Sequence, residues 1–202
     1  MTREDWVNAA LETFISDGIE QVKVMVLAER MGVSRSSFYW YFKDRKDLLD
    51  VLLEHWLNTN TKAIIDASRE KAETITGAIA NVFVCFIDAG LFNTKLDFAV
   101  RDWARRDPQV RKVLDTSDHK RIEALSAMFA RFEYPEAECL ARARVMYYTQ
   151  IGYNDADLHE PMERRIELVK EYLLTYSGKV ADPAEVEKLR QRSLHIERQN
   201  QS

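Results

Sequence analysis

Residues 27–49 read LAERMGVSRSSFYWYFKDRKDLL, and their spacing decides the fold. Leu27, Ala28 and Met31 make an apolar i, i+1, i+4 face, and Gly32 follows where a helix end favours a residue able to adopt positive φ. Val33 and Ser34 form a short turn, and the Ser34 hydroxyl suits an N-cap, so a second helix is expected from about Arg35. Asp44 suits the N-cap of a third helix with Arg45 and Lys46 in its first turn. Two short helices about a tight turn are the pattern of a helix-turn-helix DNA reader.

On a wheel of roughly 100° per residue, Arg35, Ser36, Tyr39, Trp40 and Lys43 fall within an arc of about 140°, with Phe38 and Phe42 outside it. The first set has chemistry for DNA: a guanidinium for guanine or phosphate, hydroxyls for hydrogen bonds, a point charge, and an indole for a thymine methyl or sugar edge. Because cations in the first turn oppose the helix dipole, Arg45 and Lys46 are expected to answer a nearby phosphate. An αα-corner in a helical bundle, with the aromatics as packing, is the alternative.

The segment is similar to the amino-terminal domain of the tetracycline-repressor (TetR) family. The matching residues are Gly32, Val33, Ser34, Tyr39, Tyr41, Phe42, Arg45, Leu48 and Leu49, with Trp6, Ala9, Ala10, Phe14 and Gly18 upstream in a first helix and its terminating glycine. The resemblance covers about the first quarter of the chain. It departs from the family at Lys23 and Val24, where a Thr or Ser usually opens the second helix; Lys23 can meet a phosphate but cannot cap. The reading helix also lacks the small Gly or Pro often found after its first residue, so no operator preference carries over. The DNA-binding set is therefore Lys23, Ser34, Arg35, Ser36, Tyr39, Trp40, Lys43 and Arg45.

At 202 residues and 46% hydrophobic content the chain can bury a sizeable core. No run approaches the ~18 apolar residues of a membrane span, and no basic-then-apolar signal opens the sequence, so the expectation is a soluble cytoplasmic protein without membrane partners. Cys85 and Cys139 lie in helical patterns and read as reduced core thiols. The net charge of −4 opposes nucleic-acid binding in general, yet residues 34–46 hold four basic groups against Asp44 alone, or +3. Weak non-specific affinity with a modest salt slope is expected.

Beyond Arg45 the periodicity is helical and strand signals are almost absent, which makes the chain all-α. Helices are expected at about 3–17, 24–31, 35–41, 45–71, 74–91, 94–106, 108–131, 135–153 and 161–177, with Pro108, Pro135, Pro161 and Pro183 marking starts. Nine is the number the family resemblance implies. The domain division is 1–46 for DNA binding, 47–178 for effector binding and dimerisation, and 179–202 as a polar tail with room for a short helix.

Phe83, Phe86, Phe98, Trp103, Met128, Phe129 and Tyr147 supply large apolar groups that suit a solid core or a ligand cavity, and the residues favour core. The resemblance favours the cavity, since these regulators usually take a small effector there and reposition two DNA-reading heads. The composition suggests an apolar or aromatic effector. Tyr148, Ile151, Ile166, Val169 and Leu173 lie on the last two strong helices; they either close the monomer's core or, as the resemblance implies, meet a second copy. A homodimer on a palindromic double-stranded operator multiplies the specificity of one short reading helix. The expected function is a ligand-responsive repressor.

The segment Arg101–Lys112, with five basic and two acidic residues, reads as a solvated face at a helix junction or as a second nucleic-acid patch. Asn154, Asp155, Asp157, His159 and Glu160 have metal-ligand chemistry but sit before Pro161, where a helix start recruits acidic groups. Asp115 and His119 read as an i, i+4 surface pair, and His55 as a group near the cavity. No glycine-rich phosphate loop, HExxH, GxSxG or Cys–His nucleophile pattern occurs. Neither an enzyme nor a bound metal or cofactor is expected.

Overall fold

The computed structural model describes residues 1–200 apart from Asp157 and His159. It is all-helical among those residues: α1 (Arg3–Asp17), α2 (Val24–Arg30), α3 (Arg45–Trp56), α4 (Lys62–Arg69), α5 (Ile75–Ile87), α6 (Thr94–Ala104), α7 (Pro108–Ala130), α8 (Glu136–Asp155), α9 (Met162–Glu167), α10 (Val169–Ser177) and α11 (Pro183–Asn200). A 3₁₀ turn covers Ile19–Gln21, a 3₁₀ helix covers Arg35–Trp40, and one π-helical stretch, Leu57–Thr61, joins α3 to α4. No described helix is long and apolar enough to cross a membrane.

Local chemistry sets the ends. Thr2 and Asp5 close a capping box on α1, and Gly18, at φ 84°, ends it. Asp44 accepts the Asp47 amide at the start of α3. Asp107 accepts the Gln109 and Val110 amides beside Pro108, the first residue of α7, and Asp182 does the same for Ala184 beside Pro183. Pro135 and Pro161 instead occupy the N-cap positions of α8 and α9.

The chain divides into two compact units. The first comprises Met1–Thr59 and Lys95–Asp115, the second Asn60–Thr94 and Thr116–Ser202. This differs from a boundary at residue 46, because Leu96, Val100 and Trp103 of α6 join the core built by Trp6, Phe14, Leu27, Phe38, Leu52 and Trp56. Trp103 meets Phe14 edge to face at 5.7 Å, and Asp97 accepts the buried Trp56 indole N–H at 2.8 Å. Burial of these rings and aliphatic side chains, at about 1.5–3 kcal/mol each, holds the unit together.

The second unit packs α5 against α4, α10 and α11 around Ile79, Val82, Phe86, Met128, Phe129 and Tyr147. A buried Arg121 donates to Thr61 Oγ1 at 2.9 Å and to the Tyr147 hydroxyl at 3.1 Å, and Tyr147 donates to Asp118 at 2.7 Å. Residues 179–202 are more than a polar tail. Leu189 and Ile196 of α11 are core residues, Glu185 takes the hydroxyls of Thr74 and Thr76, and the Asn200 amide donates to Ile87 O at the end of α5. The stretch 161–177 breaks into two helices at Leu168, and 45–71 is interrupted by the π-helical turn.

Candidate functional site

The reading segment is wound more tightly than its expected α-helix. The Ser37 amide and hydroxyl both bond Ser34 O, at 3.2 and 2.7 Å, and the Tyr41 amide bonds Phe38 O, which draws Arg35–Trp40 into 3₁₀ geometry. Ser34 holds the N-cap position without capping; its hydroxyl pairs with that of Ser36 at 2.9 Å. Gly32 adopts φ 65° and turns the chain after α2.

Phe38 is fully buried, edge to face with Trp6 at 5.2 Å and stacked on Phe42 at 5.2 Å. With that anchor beneath, Tyr39 is 60% exposed although it meets Phe38 edge to face at 5.3 Å, and Trp40 is 78% exposed, an expensive display of two large rings. Arg35, Ser36 and Lys43 are exposed beside them. The set Arg35, Ser36, Tyr39, Trp40 and Lys43 therefore stands at the surface of one anchored segment, with Ser34 and Lys23 also exposed.

Arg45 is different. Its guanidinium donates to Val22 O at 2.5 Å and Ile19 O at 2.7 Å, satisfying carbonyls of the turn before α2, so it clamps that turn. Lys46 pairs with Asp50 one turn along, which raises the Lys46 pKa, and this pair offsets the cation at the start of α3. The charge left to the reading face is that of Arg35 and Lys43.

The expected effector set does not converge. Phe98 is half exposed and Trp103 is core, both in the first unit, while Met128, Phe129 and Tyr147 are solid packing in the second. Only Phe83 and Phe86 of that set line the apolar cavity of about 70 Å³ in the second unit. Its walls come from Ile79, Val82, Phe83 and Phe86 of α5, Met146, Thr149, Gln150 and Tyr153 of α8, and Val169, Tyr172, Leu173 and Tyr176 of α10, with Glu160 and Arg165 completing it. Burial pushes the Tyr153 and Tyr176 phenols up, so both stay protonated. Period alone does not assign Thr149, Gln150, Tyr153 and Tyr172 to a cavity because their polar atoms resemble surface positions, and it leaves Val169 and Leu173 between core and partner face. His55 is not among the wall residues.

Three of the expected dimer residues face inward. Ile166, Val169 and Leu173 are buried in the second unit's own core, where helix periodicity cannot distinguish a core face from a partner face. Ile151 is partly buried against that core, and Tyr148 is exposed. Leu140, Val145 and Tyr148 on α8 and Tyr172 and Leu174 on α10 are large hydrophobic side chains left exposed.

In the Arg101–Lys112 segment, Arg101 pairs with Asp97, Arg106 with Asp102, and Arg111 with Asp115, so Asp115 is engaged by an arginine rather than by His119. Among the described residues no group of three His, Cys, Asp or Glu could hold a metal; Asp157 and His159 lie outside those residues. Both cysteines are buried and free.

An anchored 3₁₀ segment projecting Arg, Ser, Tyr, Trp and Lys after a positive-φ glycine turn defines a helix-turn-helix protein. Residues 7–52 match the family described as bacterial regulatory proteins, tetR family. The class C tetracycline repressor protein of Escherichia coli is 40% identical over 60 residues, 30% of this chain and 27% of that protein. The regulator SrpR of Pseudomonas putida is 33% identical over 52 residues, 26% of this chain and 24% of that one. The chain thus matches only about a quarter of the length of these relatives. Across nearly the whole chain, the fold is that of a TetR-family transcriptional regulator from Marinobacter aquaeolei VT8, with TM-score 0.66, 17% identity, and 96% and 98% coverage of this chain and that one. The ketosteroid transcriptional regulator KstR2 of Mycobacterium tuberculosis superposes with TM-score 0.61, 16% identity, and 89% and 95% coverage. The likeness in sequence thus lies in the amino-terminal segment, and the likeness in fold extends over nearly the whole chain. The relatives are transcription regulators rather than enzymes.

Proposed function

We propose that the protein is a transcriptional repressor that binds a palindromic operator as a homodimer and is released by a small effector. The observation that carries this reading is the display of Tyr39 and Trp40 with Arg35, Ser36 and Lys43 over a buried Phe38 anchor. Arg35 and Lys43 offer guanine or phosphate contacts, Tyr39 and Ser36 hydrogen bonds, and Trp40 an apolar edge for thymine methyls. Ser34 and Lys23 flank them as phosphate contacts. The proposed location is the cytoplasm, with the DNA.

One such segment reads too few base pairs for a unique site, and a twofold pair solves this. The proposed dimer face uses Tyr148 with Leu140, Val145 and Leu174, outward apolar groups of α8 and α10. The α5–α8–α10 cavity is the proposed effector site; an occupant that fits one spacing of the two heads better than another shifts the population between them.

Selection of bound DNA from a random pool tests the reading. A palindrome with half-sites about one duplex turn, roughly 34 Å, apart is expected. Arg35→Ala with Tyr39→Ala should abolish binding to it while leaving the melting temperature unchanged. Retained binding by that folded double variant overturns the assignment.

A further inference from the structure

We propose that the α5–α8–α10 cavity receives a compact ring-bearing carboxylate, its ring against Phe83 and Phe86 and its anionic group on Arg165. The inference rests on the cavity being the effector site and names the chemistry of its occupant.

Arg165 carries the argument. It lines an otherwise largely apolar cavity, is half-buried, and offers a planar fork of N–H donors that matches a carboxylate. Its guanidinium sits 4.5 Å from the Tyr153 ring centroid and 5.4 Å from that of Phe83. Among the described residues no carboxylate comes within ion-pair range of it, whereas Arg164, its neighbour in sequence, pairs with Glu167 at 2.6 Å. Ring faces attract a guanidinium, but a carboxylate meets its fork with two parallel hydrogen bonds, so an anionic ligand is the stronger partner.

The wall also selects against a cation. Its one carboxylate, Glu160, already accepts the Tyr153 hydroxyl at 3.0 Å, and that phenol, kept protonated by its burial, remains a donor to it. Thr149 and Gln150 add neutral polar groups at the wall that can serve a ring substituent. Size sets the other limit. About 70 Å³ is less than the ~150 Å³ that takes benzene, so the ring enters only as the long Arg165 side chain swings off Phe83 and Tyr153. Binding of the acid thereby exchanges two cation–π contacts for one ion pair, and a neutral ring has no means of drawing Arg165 aside.

Calorimetric titration of the full-length protein with benzoate, phenylacetate and 4-hydroxybenzoate, against benzamide and benzyl alcohol as uncharged counterparts, tests this. At least one acid is expected to bind at least about tenfold tighter than its uncharged counterpart, the scale of one charge-assisted hydrogen bond. Arg165→Gln should remove that preference and Arg165→Lys should keep part of it, each with a helical spectrum unchanged from the parent. Equal binding of acid and amide, an undiminished preference in a folded Arg165→Gln protein, or no binding of any acid at millimolar concentration overturns the proposal. Operator release, measured in parallel, separates the two claims. Acids that bind through Arg165 without releasing DNA refute the regulatory reading alone, and release by the uncharged compounds refutes the carboxylate alone.

Discussion

Replacing Arg45 by Met separates two roles that the sequence leaves superimposed. The guanidinium makes two charge-assisted hydrogen bonds, to Ile19 O at 2.7 Å and Val22 O at 2.5 Å. A hydrogen bond of this kind contributes about 1.5–3 kcal/mol when buried. Arg45 is only half-buried, and water can reach the carbonyls once it is gone, so about half of the pair's sum, some 1.5–3 kcal/mol, is the expected loss. For a chain of this size that lowers the melting temperature by about 3–12 °C, measured by calorimetry or by circular dichroism at 222 nm. The same variant should leave the slope of log K against log salt for operator binding unchanged at a temperature where it is folded. A phosphate contact would instead lower the magnitude of that slope by about 0.9. A variant of unchanged stability with a reduced slope would refute the clamp and restore Arg45 to the DNA contacts.

Other outcomes follow from single features. Gly32→Ala should cost about 1–2 kcal/mol in a denaturant titration, all of it from the φ of 65°, because a Cβ there meets no atom within 4 Å. Ile196→Ala should destabilise the second unit by about 2–4 kcal/mol although it lies six residues from the sequence end; a change under ~0.5 kcal/mol would mean that α11 does not pack on the core. Burial pushes the Cys85 thiol up from 9.0 to about 12, so the folded chain keeps that proton where the unfolded chain loses it. The stabilisation is complete below pH 9 and is lost between pH 9 and 12, by at most about 1.4 kcal/mol per pH unit. Cys85→Ala should flatten that part of the stability profile, and an unaltered slope would contradict the assignment. Val145→Asp should dissociate the proposed dimer without unfolding the chain, whereas Leu173→Asp should unfold it, as sedimentation and circular dichroism would distinguish.

What was legible in the sequence was whatever depends on neighbours along the chain. Gly32, Asp44 and Asp107 act within a turn or two of themselves, and their conformations or hydrogen bonds follow from residue type. The outward face from Arg35 to Lys43 was legible for a related reason, since the adjacent Phe38 and Phe42 have only one place to go. The carbonyls that hold Arg45 lie 23 and 26 residues away, and no local pattern points to them. Trp103 and Phe83 have similar side-chain chemistry yet belong to different compact units, a distinction made by tertiary packing rather than by composition. Arg165 is not legible in the sequence, because a single arginine on an amphipathic helix reads as solvated unless the rings around it, Phe83 and Tyr153, are known.

On the proposed reading, the 3₁₀ winding of Arg35–Trp40 sets a length scale for each half of the operator. The five rises from Arg35 to Trp40, about 2.0 Å each, extend about 10 Å, against about 7.5 Å for the same residues in an α-helix. Stacked base pairs repeat at about 3.4 Å, so the difference of about 2.5 Å is most of one base step. Arg35 and Trp40 would thus address positions most of a step further apart than an α-helical register would allow. The ruler is held by the Ser37 hydroxyl on Ser34 O, so a residue inside the turn would help determine how many bases each half-site spans.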